Sequence, residues 1–138
     1  MITTNEINLR TQGDTDIIDI TAKVQKFVTD SAINNGTVTV FVAHSTVGIT
    51  TIEFEPGLVA NLQKVWENLV PKNIPYDHDT HWGDGNGYAH VRASLMGASL
   101  TISFTDRKLV IGVWQQIILV DFDNRPRNRT VIVQVMGE

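Results

Sequence analysis

The sequence predicts a single α+β domain with largely antiparallel strand pairing. Three observations lead there. The last forty residues read as strands and turns alone, helical periodicity is confined to two or three interspersed segments, and no strand–helix alternation runs through the chain as in a doubly wound sheet. The length of 138 residues is that of one domain, 1–138, and no linker, low-complexity segment or internal repeat divides it.

Taken in order, Asn5–Thr11 alternates apolar and polar residues through Ile7 and Leu9. Gly13-Asp14 then signals a turn, predicting a hairpin into Asp16–Ile20. Thr21 is placed to cap a helix carrying Val24, Phe27, Val28 and Ala32 at helical spacing, which Asn34-Asn35-Gly36 ends with Gly36 in the left-handed conformation. Thr37–Ala43 is β-branched and apolar, a buried strand, and Val47–Glu53 is a second, separated from it by His44-Ser45-Thr46. Pro56-Gly57 opens a helix through Leu58, Leu62, Val65, Trp66 and Leu69 that Pro71 stops. A glycine-rich loop follows, then a short helix over Ala89–Met96 ended by Gly97. Leu100–Phe104, Leu109–Ile111, Val113–Phe122 and Thr130–Met136 are strands, joined by turns at Thr105–Lys108 and Asp123–Pro126. In the final strand Val131, Val133 and Val135 make one face apolar. Thr130, Ile132 and Gln134 make the other partly so, which favours a covering sheet or a neighbouring copy.

Composition excludes several function classes. A net charge of -4 gives no bulk support to nucleic-acid or anionic-membrane binding. The absence of cysteine removes disulfides, thiolate metal sites and thiol nucleophiles. No apolar run approaches a membrane span, and the N-terminal residues lack the pattern of a secretory signal, so a cytoplasmic protein is expected. Any metal has to be held by His, Asp, Glu or Asn.

The most informative stretch is Trp82–His90, WGDGNGYAH. Three glycines in five residues make a shaped loop that presents Asp84, Asn86 and His90. With His78 and His81 just upstream, the region Tyr76–His90 holds three of the four histidines. The spacing is not HExxH, yet imidazoles converging with a carboxylate match a zinc or manganese shell with open positions. The alternative is a set of hydrated loop histidines, with His81 the plainest bystander. His44-Ser45-Thr46, where a buried strand stops, suits a phosphate or carboxylate, or is simply a Ser/Thr turn. A Ser–His nucleophilic pair is disfavoured, because neighbours on a strand point to opposite faces. Glu53 and Glu55 face one way if the chain stays extended. They then serve as bases or ligands, or as a solvated acidic lead into a helix. Finally, Trp114-Gln115-Gln116 precedes Arg125, Arg127 and Arg129, the only concentrated basic patch. It suits a small phosphorylated ligand or an ion pair, within or between subunits.

These segments resemble the YjbQ-like family, which is associated with a secondary thiamine-phosphate synthase activity. The matching pieces are FVAHSTVGITTIEFEPGL, YDHDTHWGDGNGYAHVRASLMGASLTISF and LVIGVWQQIILVDFDNRPRNRTVIVQVMGE, with INLRTQGDTDIIDIT at the N-terminus. The resemblance implies a mixed β-sandwich with two to three helices, assembled as a homotrimer. It also implies histidines grouped as a metal or anion site near the subunit interface. Carried over by motif, the site comprises His44, Ser45, Thr46, Glu53, His78, Asp84, Asn86, His90, Gln115, Arg125 and Arg127. His81 falls outside the pattern, Tyr88 stands where relatives often carry histidine, and Arg107 replaces a turn glycine.

The function expected on this footing is a metal- or arginine-assisted enzyme acting on a phosphorylated small molecule, of thiamine-phosphate synthase type. Such chemistry joins a hydroxymethylpyrimidine diphosphate to a thiazole phosphate and releases pyrophosphate, which needs charge stabilisation more than a nucleophile. Glu53, Asp84 and His90 are the expected catalytic groups. Ser45, Thr46, Asn86, Gln115, Arg125 and Arg127 would bind substrate, and His44, His78 and His90 would converge on a divalent zinc, magnesium or manganese ion. The competing expectation is a trimeric module that binds an anionic metabolite without turning it over. Neither involves nucleic acid or membrane.

Overall fold

Alternation of β-branched residues builds two sheets that face each other across one apolar core. The computed structural model describes residues 1–138. The elements are β1 (Ile2–Thr11), β2 (Asp16–Asp19), α1 (Thr21–Asp30), β3 (Gly36–Val42), β4 (Val47–Ile52) and α2 (Pro56–Leu69). They continue as α3 (Asp77–Trp82), α4 (Gly87–Met96), β5 (Ser99–Thr105), β6 (Lys108–Leu109), β7 (Gln116–Asp121) and β8 (Arg127–Gly137). The larger sheet has the order β1-β8-β3-β5-β6 and the smaller β2-β7-β4, with every pairing antiparallel. No helix is long and apolar enough to cross a membrane.

The period of two in β8 puts Val131, Val133 and Val135 inward beside Val38, Val40 and Val42 of β3. Ile117 and Leu119 of β7 close this core from the smaller sheet, and Val24 and Val28 of α1 pack against it. Ile118 and Val120 point the other way, into a second core with Trp66 of α2 and Tyr88, Ala89 and Ala93 of α4. The smaller sheet is therefore buried on both faces, which is why β7 reads as an unbroken apolar run. The layers run from the larger sheet to the smaller sheet to α2 and α4. The outer face of the larger sheet is uncovered and carries exposed Ile2, Phe41 and Met136.

The α+β class, the single domain and the antiparallel pairing stand as read, but four local expectations do not. First, β1 and β2 form no hairpin. Gly13, Asp14 and Thr15 all take positive φ (74°, 59° and 64°), which throws the chain across the gap. β1 then pairs with β8 and β2 with β7, in different sheets. Second, α1 stops at Asp30, with Ala32 rather than Gly36 at positive φ (61°). Gly36 instead opens β3, where an added Cβ would lie 2.0 Å from the Met136 carbonyl oxygen.

Third, there are four helices, not two or three. The unforeseen α3 occupies DHDTHW, a segment with no apolar stripe to announce it, and α4 begins at Gly87, inside the glycine run. Fourth, Val113–Gln115 is an exposed turn rather than the start of a strand, leaving Trp114 73% exposed. The hairpin turn between β5 and β6 forms where expected. Asp106 and Arg107 both have positive φ (50° and 63°), as a two-residue turn of this hand requires even without glycine.

Candidate functional site

At one end of the sandwich the inward-facing rows of three strands turn polar. β7 continues Ile117 and Leu119 with Asp121, β8 continues Val133 and Val131 with Arg129, and β1 ends in Thr11. All three polar residues are buried. Arg129 grips Asp121 with two hydrogen bonds, Nε to Oδ2 at 2.7 Å and Nη2 to Oδ1 at 3.1 Å, a fork that suits the planar carboxylate. The Thr11 hydroxyl also donates to Asp121.

Asp123, two residues on, is the second anchor. It accepts from Arg127 Nε at 2.9 Å, Arg129 Nη2 at 3.3 Å, Thr46 Oγ1 at 3.1 Å, Asn86 Nδ2 at 3.2 Å and the Asn124 N–H at 2.8 Å. Burial alone would raise the Asp123 pKa. The Asn124 and Asn86 donors, the Arg127 charge and the Thr46 hydroxyl outweigh burial and hold it below the ordinary value. An ion pair within the chain, one of the alternatives for the arginine patch, is formed here by Arg127 and Arg129 with Asp121 and Asp123. Its depth shows only when residues 127 and 129 are seen to extend the 131–133–135 row.

Above this anchor lies a cleft of about 380 Å³ lined by Gly83, Asp84, Asn86, Asn124, Arg125 and Arg127, without one apolar side chain. Two connections build it. In the loop between α3 and α4, Gly83 and Gly85 both have φ of +69°, a left-handed conformation that explains the glycines. Open space surrounds Gly83, so conformation rather than crowding is the constraint there. Gly87 serves close approach instead: its N–H donates to Asp79 Oδ1 at 2.9 Å, and a Cβ would lie 2.6 Å from that of Tyr76. The turn between β7 and β8 supplies the other wall and is tied to the loop by Asn124 Nδ2, which donates to the Asp84 carbonyl oxygen at 2.8 Å.

Arg127 is held at Nε by Asp123, and its two terminal nitrogens have no partner in the chain. Arg125 is exposed and has no ion pair. Asn86 is the N-cap residue of α4 and is 4% exposed, but its side chain does not cap the helix. Its Nδ2 is engaged by Asp123, and its Oδ1 has no donor. The cleft thus combines two guanidinium groups, which favour an anion, with Asn86, the N-cap residue of a ten-residue helix whose first N–H is already taken by Asp79.

Of the three histidines expected to converge, two do. The rings of His78 and His90 stand 4.4 Å apart between centroids, at 41°. His78 Nδ1 is buried without a hydrogen bond, with Asp79 Oδ1 at 3.6 Å. Burial and the neighbouring His78 depress the His90 pKa, against the raising fields of Asp123, Asp84 and Asp79. His90 is therefore neutral at pH 7.

His44 does not join the pair as a third ligand. It sits beyond the end of β3, where its Nε2 accepts the Thr130 N–H at 3.0 Å. Burial and the Arg129 charge lower its pKa, consistent with an unprotonated acceptor nitrogen. A catalytic zinc takes three protein ligands. One copy of this chain gathers no group of three or more His, Asp or Glu side chains to hold an ion. The residues of a single chain fall short of a zinc, magnesium or manganese shell.

Four more expected site residues lie outside the cleft. Thr46 is buried beneath it, with its hydroxyl shared by Asp123 and Arg129, so it positions the anchor rather than meeting a ligand. Ser45 is exposed beside His44, Ala93 and Ser94 in a separate depression. Glu53 and Gln115 are at the opposite end of β7. Glu53 shares a shallow acidic recess with Asp19, Glu55 and Trp114, and Gln115 donates to Thr51 Oγ1 at 3.0 Å to brace its turn. Ile52 pairs with Gln116 and Val47 with Asp121, so the length of β7, roughly 17 Å at ~3.4 Å per residue, separates these two from the cleft. Glu55 caps α2, accepting from the Gly57 and Leu58 N–H groups at 2.8 Å, and His81 is exposed. Tyr88 is buried in the second core under the Arg92 guanidinium, 5.0 Å from its ring centroid.

Comparison with known proteins places this arrangement among relatives. The family model described as UPF0047 protein YjbQ-like matches residues 5–138. A UPF0047 protein of Methanothermobacter thermautotrophicus is 36% identical over 135 residues, covering 98% of this chain and 92% of its own length. One from Archaeoglobus fulgidus is 37% identical over 131 residues, covering 95% and 99%. Among solved structures, a YbjQ-like protein of unknown function from Sulfolobus solfataricus superposes with a TM-score of 0.95 at 32% identity over 100% of this chain and 99% of that one. An uncharacterized conserved protein of the yjbq/upf0047 family from Clostridium acetobutylicum does so with a TM-score of 0.88 at 38% identity, over 96% and 99%.

Proposed function

This chain belongs to the UPF0047 YjbQ-like family, and from that premise we propose that the cleft between the glycine loop and the β7–β8 turn binds the phosphate of a small phosphorylated molecule and acts on it with arginine assistance. The observation that carries the reading is the all-polar lining, in which Arg125 and the terminal nitrogens of Arg127 are unpaired beside the α4 N-terminus. Preorganised positive groups of this kind stabilise charge on a departing phosphate or pyrophosphate. A thiamine-phosphate synthase-type reaction has that need: a carbon–oxygen bond to diphosphate breaks as the incoming ring nitrogen bonds to the same carbon. Arg125 and Arg127 would hold the departing diphosphate; the ring nitrogen carries no hydrogen and ends as a cation, so the step releases no proton and needs charge stabilisation rather than a base.

A second reading has its own support. Glu53, expected to be catalytic, and Gln115, expected to bind substrate, lie a strand's length from the cleft, so one copy does not assemble all the expected site groups. A module that binds an anionic metabolite without turnover needs only the cleft. We also propose that the chain forms a homotrimer, supported by Ile2, Phe41 and Met136 standing exposed on the outer face of the larger sheet. Isothermal titration with pyrophosphate and thiamine phosphate, alongside an assay for pyrophosphate release from the paired pyrimidine and thiazole phosphates, separates the readings. Binding with release supports the enzyme, binding without release supports the module, and no binding of either ligand overturns both.

A further inference from the structure

Donors account for only half of the cleft. Asp84, Asn86 and Asn124 line the same space as Arg125 and Arg127. The Asn124 Nδ2 is engaged by the Asp84 carbonyl oxygen, which leaves that side chain its acceptor oxygen. Asn86 is oriented by the same logic: its Nδ2 must face Asp123, because the reverse orientation would set a carbonyl oxygen against a carboxylate. Its Oδ1 is therefore fixed as an acceptor, and it is buried with no donor from the chain. A buried acceptor left unpaired is unfavourable, and Asn86 belongs to the cleft wall, so a donor supplied from outside would satisfy it. Charge points the same way. Two guanidinium groups are matched by two carboxylates, Asp84 in the cleft and Asp123 behind Arg127, so the site is bipolar rather than uniformly positive.

A site built for inorganic phosphate or pyrophosphate alone has no use for those acceptors, and Asp84 would weaken its hold on such a ligand. We infer that the ligand is a phosphorylated amine, with its phosphate on Arg125 and Arg127 and its amino group on Asp84 and Asn86. The inference rests on the phosphate-binding reading above and deepens it by naming the other end of the molecule. At about 380 Å³ the cleft lies at the low end of small-molecule sites, in keeping with a compact zwitterion.

The test compares O-phosphoethanolamine with ethyl phosphate, which have the same phosphate and nearly the same length but differ in the amine. Binding is followed by calorimetry on the full chain, or by the fluorescence of Trp82, which is 74% exposed beside Gly83. The amine should bind at least tenfold more tightly. In Asp84→Asn that preference should collapse while ethyl phosphate binds as well or better, and Arg125→Ala should weaken both ligands alike. Asp84 is exposed, and circular dichroism checks that its variant folds. Equal affinity of the two esters, or a preference that survives in Asp84→Asn, overturns the inference and leaves phosphate binding intact. If neither ester binds the unaltered chain, the phosphate-binding reading itself has failed.

Discussion

Three arginines within five residues have three different roles, set by depth. Arg125 is exposed and unpaired, Arg127 is half engaged, and Arg129 is buried in a bidentate pair. Arg125→Ala should weaken a phosphorylated ligand by about ten- to a hundredfold, since a charged hydrogen bond is worth roughly 1.5–3 kcal/mol. Its melting temperature should hardly move, and a calorimetric titration with a parallel melting curve reads both. Arg129→Ala strands the Asp121 carboxylate in the core. It should cost about 3–5 kcal/mol, visible as a large fall in the urea midpoint. Asp123 governs acid stability. Its folded pKa lies below the ordinary 3.8, so the unfolded chain takes up its proton first as pH drops. The stabilisation it gives is complete above about pH 4 and is lost as pH falls through the folded value. Denaturation curves between pH 5 and 2 should show that loss, and Asp123→Asn, less stable at neutral pH, should show a shallower one.

Helix junctions fix the cleft at the next scale. α4 reaches into the fold through Arg92, which is fully buried. Arg92 donates twice to the Val70 carbonyl oxygen, at 3.0 and 2.7 Å, and once to Thr15 Oγ1 at 3.1 Å. One side chain thereby ties α4 to the end of α2 and to the left-handed crossing between the sheets. Arg92→Leu should destabilise by about 3 kcal/mol or more, because these bonds involve a charged donor and their buried acceptors are left unmatched. α3 meets α4 at Gly87, where Gly87→Ala would force a Cβ to within 2.6 Å of Tyr76 Cβ. Displacing α3 should cost about 1–3 kcal/mol and weaken ligand binding together, as melting and titration of the same variant would show. The sequence displayed the glycines but not their division of labour. Gly83 answers a backbone angle and Gly87 a distance to a neighbour that no local pattern reveals.

At the scale of the whole molecule, the larger sheet is uncovered on its outer face. Its outer face mixes threonines with Ile2, Phe41, Ile132 and Met136, less apolar than a core yet not a fully polar surface. Light scattering at micromolar concentration should give a mass near three chains, and Phe41→Glu should lower that mass if this face is the contact. An unaltered chain that runs as a monomer removes the trimer and any site shared between copies.

Some of this molecule is written in local sequence. The alternating valines of β3 and β8, the Pro56-led helix, the turn at Asp106-Arg107 and the glycine loop are readable because period, capping and turn chemistry act over a few residues. The arginine patch was likewise readable as a phosphate site, and the glycine loop as a shaped loop that presents Asp84, Asn86 and His90. Their meeting was not, since it depends on β7 ending beside the start of α4. Nor was the separation of Glu53 and Gln115 from that meeting point, which follows from antiparallel pairing that places Ile52 and Val47 at opposite ends of one strand. The split of β1 and β2 between sheets belongs to the same class: the turn signal at Gly13 was real, but β8 offered β1 a ten-residue ladder against the four residues of β2. Local chemistry chose the elements, whereas long-range pairing and the depth of each charge decided which of them make a site.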